Sequence, residues 1–181
     1  MRYRKEVTLK DGTTCLIKQG EVADAQGVLD CFILTRKETD NLASYADEHS
    51  MTAQDEGEHL TRREESENAA ELCAMVDGRV VGMAGIWPVG ERDKLKHRAG
   101  FGIGIERAWW GKGLGREMTA ACIECARKAG FLQLELEVVS DNAAAISLYE
   151  SMGFRECGRN PLGFRLRSGH FQELVAMRLE L

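Results

Sequence analysis

Between residues 132 and 138 apolar and polar side chains alternate without a break, Leu132, Leu134, Leu136 and Val138 against Gln133, Glu135 and Glu137. A period of two predicts a strand with one buried face. Immediately upstream the rhythm lengthens. From Leu114 the apolar positions 118, 121, 122, 125 and 129 keep helical spacing for four turns, and Gly130 ends them. Earlier in the chain a strand is expected near 14–19 and a helix over 23–36, with Val28, Leu29, Phe32 and Ile33 on one face. "AELCAMVD" and "RVVGMAGIWP" read as two strands joined by Asp77-Gly78, a two-residue hairpin signal. "KHRAGFGIGIER" gives a further strand. Downstream, Ser140, Asp141 and Asn142 offer caps for a helix "AAAISLYESM" stopped at Gly153, and two strands follow, near 154–157 and in "HFQELVAMRLEL". Strands and helices therefore mix in one α/β or α+β domain spanning 1–181.

One long segment departs from this pattern. From Asp47 to Glu71 the chain holds nine acidic residues against two basic ones, and it predicts a helix capped by Thr52 with an acidic outer surface. The net charge of −5 supplies no basic footprint, so nucleic acid is not an expected partner. The first residues, "MRYRKEVTLKDGTT", lack the apolar core of a signal peptide, and no apolar run reaches the roughly 18 residues of a membrane span. A cytoplasmic protein without membrane partners is expected. Six cysteines are scattered, and Cys122 and Cys125 form the one C-x-x-C, with no second pair to complete a zinc site. They read as buried helical thiols, and no metal is expected.

"AWWGKGLGREM", 108–118, carries glycine at every second position between a strand and a helix. The first N–H groups of a helix lack intrahelical partners, and the helix dipole adds positive potential, so such a turn is suited to phosphate. Two nucleotide motifs fail here. A Walker loop needs glycine where Glu106 stands, and Gly102-Ile103-Gly104 is not followed by the third glycine of the dinucleotide fingerprint. The alternative is a turn whose glycines only let the helix pack on the sheet.

"IGIERAWWGKGLGREM" followed by "LELEVVSDNAAAISLYESMGF" resembles the GNAT N-acetyltransferase superfamily. That family's acyl-CoA signature, Q/R-x-x-G-x-G/A, aligns as Trp110-Gly111-Lys112-Gly113-Leu114-Gly115, with tryptophan in place of the usual Arg or Gln. The second block matches through Asn142, Leu148, Tyr149, Gly153 and Phe154, and the resemblance runs from about residue 14 onward. It implies a central mixed, mostly antiparallel sheet of six to seven strands flanked by about four helices. It implies acetyl-CoA as cosubstrate, an amine-bearing acceptor and a possible homodimer. By the same resemblance, the backbone of Ile103, Gly104 and Ile105 pairs with the pantetheine arm, and the N–H groups from Gly111 through Lys112, Gly113, Leu114 and Gly115 to Arg116 hold the pyrophosphate. Asn142 touches the cofactor near the pantetheine end, and the Lys112 and Arg116 side chains could add charge.

Acyl transfer to an amine needs a neutral nucleophile, donors for the developing oxyanion and a proton for the departing thiolate. Tyr149 is the expected acid, being protonated at neutral pH. Glu137, on the polar face of its strand and twelve residues before Tyr149, is the expected base; that spacing resembles the Glu and Tyr pair of ribosomal-protein acetyltransferases. Glu106 and His97 are further candidates. The acidic 47–71 segment would favour a cationic acceptor. A small-molecule amine is the preferred acceptor. The alternatives are a protein amino terminus and a non-catalytic acyl-CoA-binding module.

Overall fold

Alternation becomes burial where it was clearest: Leu134, Leu136 and Val138 are in the core and Glu137 is exposed. Leu132 is not part of that face; it lies outside the strand and is 64% exposed. The computed structural model describes residues 2–181. Its strands are β1 (Arg4–Thr8), β2 (Thr14–Gln19), β3 (Ala70–Val76), β4 (Arg79–Pro88), β5 (Arg98–Ile105), β6 (Gln133–Val139), β7 (Arg155–Arg165) and β8 (Phe171–Glu180). Its α-helices are α1 (Ala25–Glu38), α2 (Ala53–Glu65), α3 (Leu114–Lys128) and α4 (Ala143–Ser151). All eight strands form one sheet in the order β1-β2-β3-β4-β5-β6-β8-β7.

The sheet has one strand more than the expected six to seven, and the unforeseen one is β1. Of its residues "RKEVT" only Val7 is buried, so no alternation announced it. β7 runs on to Arg165 rather than stopping near 157, because an edge strand exposed on both faces shows no apolar rhythm. The caps and turns fall where their chemistry placed them. Thr52 caps α2 through its side chain, and Asp77 and Gly78 take positive φ at the hairpin.

Every neighbouring pair is antiparallel except β5 and β6. Those two pair over three residues only, Arg98–Gly100 against Gln133–Glu135. Beyond that point they part, while β5 stays bonded to β4 as far as Ile105 and β6 to β8 as far as Val139. The parting opens a wedge in the middle of the sheet. Along its margins the backbone lacks a strand partner.

Two faces flank the wedge. On one, α3 and α4 seal the main core, with Leu114, Met118, Leu134, Leu136, Tyr149 and Phe154. Cys122 and Cys125 belong to this core as free thiols, and burial pushes both pKa values up, Cys125 to about 11. On the other face, α1 and α2 cover a smaller cluster of Val28, Cys31, Leu60, Cys73 and Val80. No helix among the described residues is long and apolar enough to cross a membrane.

Candidate active site

Gly111 and Gly113 both have positive φ, +74° and +92°, and Gly113 is the N-cap of α3. L-residues avoid that conformation, so these two positions answer to backbone geometry. Gly115 answers to packing instead: a Cβ there would stand 3.1 Å from Leu148, where α3 meets α4. The turn leaves the N–H groups of 111 to 115 without a partner among the described residues, whereas Arg116 N–H already donates to the Gly113 carbonyl at 3.1 Å. Five adjacent donors at a helix N-terminus have the geometry and potential that suit an anion.

The cations predicted here are already engaged. Lys112 pairs with Asp11 at 3.1 Å and lies 4.5 Å from the centre of the Trp109 ring. Asp11 belongs to the β1–β2 turn, and Lys10 N–H donates to the Lys112 carbonyl at 3.0 Å, so the unforeseen hairpin braces the loop. The Arg116 guanidinium reaches Ser151 Oγ at 2.7 Å and has no carboxylate partner among the described residues. Trp110 is 47% exposed and donates its indole N–H to the Ile105 carbonyl at 2.7 Å, tying the loop to the end of β5.

Ile103, Gly104 and Ile105 form the β5 margin of the wedge. Asn142 caps α4, its side-chain oxygen accepting from Ala145 N–H at 3.3 Å. Tyr149, inside the core, packs between Phe101 and Phe154 with ring centres 6.1 and 5.7 Å away. Burial, with the Cys122 thiol nearby, pushes its pKa up to about 12. Glu137 projects from the opposite face of β6, so the acid and base candidates lie on opposite faces of the sheet. His97 sits before β5, and its carbonyl accepts from Leu132 and Gln133 N–H groups.

Glu106 takes no part in the open site. Arg79 grips its carboxylate with two contacts of 2.6 Å, and the Glu106 side chain is 3% exposed against 57% for Arg79. The closed pair explains why the carboxylate is not free to order a water. Arg79→Ala strands that carboxylate in the interior and is expected to cost about 2 kcal/mol of stability, read by urea denaturation.

On the α1/α2 side, β4 and β5 present Gly85, Gly100, Gly102 and Gly104 as a trough. Trp87 lies across Gly100 and Gly102, where Cβ atoms would meet its indole at 2.5 and 3.1 Å. At the trough's β3 edge, the Glu71 carboxylate lies over Gly85, with Oε2 2.5 Å from the place a Cβ would take. A cavity of about 190 Å³ opens between the 39–48 segment and residues 163–166 at the end of β7. The β7–β8 turn is latched over this side by Arg167, which holds Asp47 with bonds of 2.8 and 2.7 Å, while its N–H donates to Tyr45 Oη. Sequence periodicity could have suggested the trough, since alternate glycines on a strand share a face.

Residues 35–154 match the family model described as "Acetyltransferase (GNAT) family". The chain belongs to the GNAT acetyltransferase family. It resembles the L-amino acid N-acetyltransferase AaaT of Escherichia coli K12, 33% identical over 108 residues, which cover 59% of this chain and 65% of that protein. It also resembles the N-alpha-acetyltransferase RimI of Mycobacterium tuberculosis, 36% identical over 81 residues covering 45% and 49%. The matches thus span less than two thirds of these relatives' length. The crystal structure of a GNAT-family acetyltransferase from Streptococcus pneumoniae superposes with a TM-score of 0.88 at 27% identity, covering 92% of this chain and 99% of that one. In this GNAT chain the glycine turn, the wedge and Tyr149 lie within the matched span, whereas Lys10, Asp11 and Arg167 lie outside it.

Proposed function

We propose that the protein transfers an acetyl group from acetyl-CoA to the primary amine of a small molecule. The observation that carries this reading is the join of two features: the five unpartnered N–H groups of 111–115 and the wedge between β5 and β6. The first matches a diphosphate in charge and donor count, and the second offers β5 backbone to an extended arm. Ile103, Gly104 and Ile105 would hold that arm, and Gly111 through Gly115 the diphosphate. Arg116 would contribute through its side chain, and Asn142 through its remaining amide donor.

When bound, acetyl-CoA supplies an acyl carbon activated as a thioester. The protein's part is to hold the partners together, receive protons from the amine and return one to the departing sulfur. Tyr149 is the proton donor, kept neutral by its burial. Glu137 receives a proton from the open face. The Arg167 latch, which closes the β7–β8 turn onto Tyr45 and Asp47, supports a small acceptor over an extended polypeptide. The similarity to an L-amino acid N-acetyltransferase adds support.

Thiol release from acetyl-CoA over a panel of amino acids, alkylamines and peptides tests the reading. Release with small amines and none with peptides is the expected result. Release with peptides alone would move the function to amino-terminal acetylation, and acetyl-CoA binding without release on any amine would leave a binding module.

A further inference from the structure

We propose that Glu71, at the β3 edge of the glycine trough, receives the acceptor as an ammonium ion and takes its first proton, so that this site selects small cationic amines. The proposal rests on the acetyltransferase reading above.

Position is the first argument. Glu71 pairs across the sheet with Gly85, and Gly85 with Gly102, so all three share the α1/α2 face. Strands lie about 4.8 Å apart, and the Glu71 carboxylate lies over Gly85, so it stands about one strand from Gly102 at the margin of the wedge. Gly85 and Gly102 add no side chain of their own, and the Trp87 indole borders the trough over Gly102. An ammonium group entering beside that indole passes Glu71 on its way to the wedge.

The second argument is the missing partner. Three other buried or half-buried carboxylates have cations of their own: Asp24 has Lys18 at 2.6 Å, Glu106 has Arg79 and Glu135 has Arg98 at 2.9 Å. Neither Glu71 nor Glu56, which is 3% exposed on α2, forms a carboxylate hydrogen bond or close ion pair with a described residue. Groups of this kind ordinarily acquire a partner when buried. Two carboxylates without a close cation, Glu71 and the Glu56 that senses it, fit one that arrives with the substrate.

Electrostatics agree with the geometry. Burial raises the Glu71 pKa to about 7; Arg63 lowers it and Glu56 raises it. The Cys73 and Cys122 thiols are the other titratable groups that sense Glu71, and His59 lies against Arg63 at 3.4 Å. A carboxylate poised near neutrality exchanges protons readily with an amine.

The proton inventory closes. The ammonium gives one proton to Glu71, and the neutral nitrogen forms its bond to the acyl carbon. That nitrogen gives its second proton to Glu137, the carbon–sulfur bond breaks, and Tyr149 protonates the sulfur. Both carboxylates then release to solvent and Tyr149 regains its proton from it, for a net release of one.

Steady-state kinetics of Glu71→Gln with n-butylamine and aniline, alongside calorimetric titration with acetyl-CoA, test the proposal. For n-butylamine, kcat/KM should fall about 100-fold or more, and the acidic limb of its pH profile should disappear. Aniline arrives neutral and should lose little; acetyl-CoA affinity should be unchanged. In otherwise wild-type protein, Arg63→Gln should move that limb to higher pH and Glu56→Gln to lower pH, which keeps the proposal testable if E71Q does not fold. Wild-type kcat/KM in E71Q, or a limb unmoved by both neighbours, overturns the role of Glu71 and leaves the transferase standing. Failure of the wild type to release thiol with these two amines and with every amine of the panel, while acetyl-CoA still binds, overturns both readings.

Discussion

Gly113→Val is expected to weaken acetyl-CoA binding by about 100-fold or more. Space does not forbid the substitution, because the nearest atoms to a Cβ at this position are Lys10 side-chain carbons at 3.4 to 3.8 Å. Conformation does. Gly113 sits at φ +92°, and a β-branched residue there is strained enough that the turn should relax to negative φ. Relaxation swings the N–H groups of 111–115 away from their common focus. A hydrogen bond to a charged group is worth about 1.5–3 kcal/mol, so losing two removes about 3–6 kcal/mol, or at least two orders of magnitude in Kd. Gly111→Ala isolates the conformational term further, since nothing lies within 4 Å of that Cβ and φ is +74°. Gly115→Ala is the contrast: it presses on Leu148 at 3.1 Å and should lower stability with a smaller effect on binding. Isothermal calorimetry with acetyl-CoA reads all three. An unchanged Kd in G113V would remove the turn as the diphosphate site.

Tyr149→Phe should lower kcat by about 10²–10⁴-fold, the usual worth of a positioned general acid, with acetyl-CoA affinity and fold intact. The ring stays between Phe101 and Phe154, and the hydroxyl it loses has no hydrogen-bond partner among the described residues, so packing and polar satisfaction are both preserved. The pH dependence has a definite sign. Burial raises this phenol from its ordinary 10 to about 12, so the proton to be donated is held across the neutral and mildly alkaline range. The ratio of wild-type to Y149F rates should therefore stay constant up to about pH 10 and narrow only above it. Equal rates in the two proteins at neutral pH would show that the sulfur takes its proton from elsewhere.

Where burial is one-sided the sequence could be read directly. Leu134, Leu136 and Val138 alternate because one face of β6 is core, and the Asp77-Gly78 turn and the Thr52 cap use chemistry confined to a few residues. β1 and the outer half of β7 were not legible for the opposite reason: β1 buries only Val7 and β7 is an edge strand exposed on both faces, so neither carries a period, and Pro161 even stands within β7. The glycine turn was visible as a phosphate site, but not which glycine serves φ and which serves packing. That division depends on Leu148 of α4. Pairings distant in sequence escaped entirely. Glu106 looked free until Arg79 closed on it across the β4–β5 ladder, and Lys112 until the β1–β2 turn supplied Asp11. The acidic 47–71 segment looked like a uniform rim, yet Asp47 is latched to Arg167, Glu56 is buried, and Glu71 faces the trough.

Acetyl-CoA labelled with carbon-13 in the acetyl group, incubated with the protein and the best small amine of the panel, and followed by mass spectrometry, tests the central claim most directly. The account predicts label in an N-acetyl amide, formed one for one with free thiol and dependent on the amine. Label that stays in acetyl-CoA, or leaves as acetate at a rate indifferent to every amine, would contradict it.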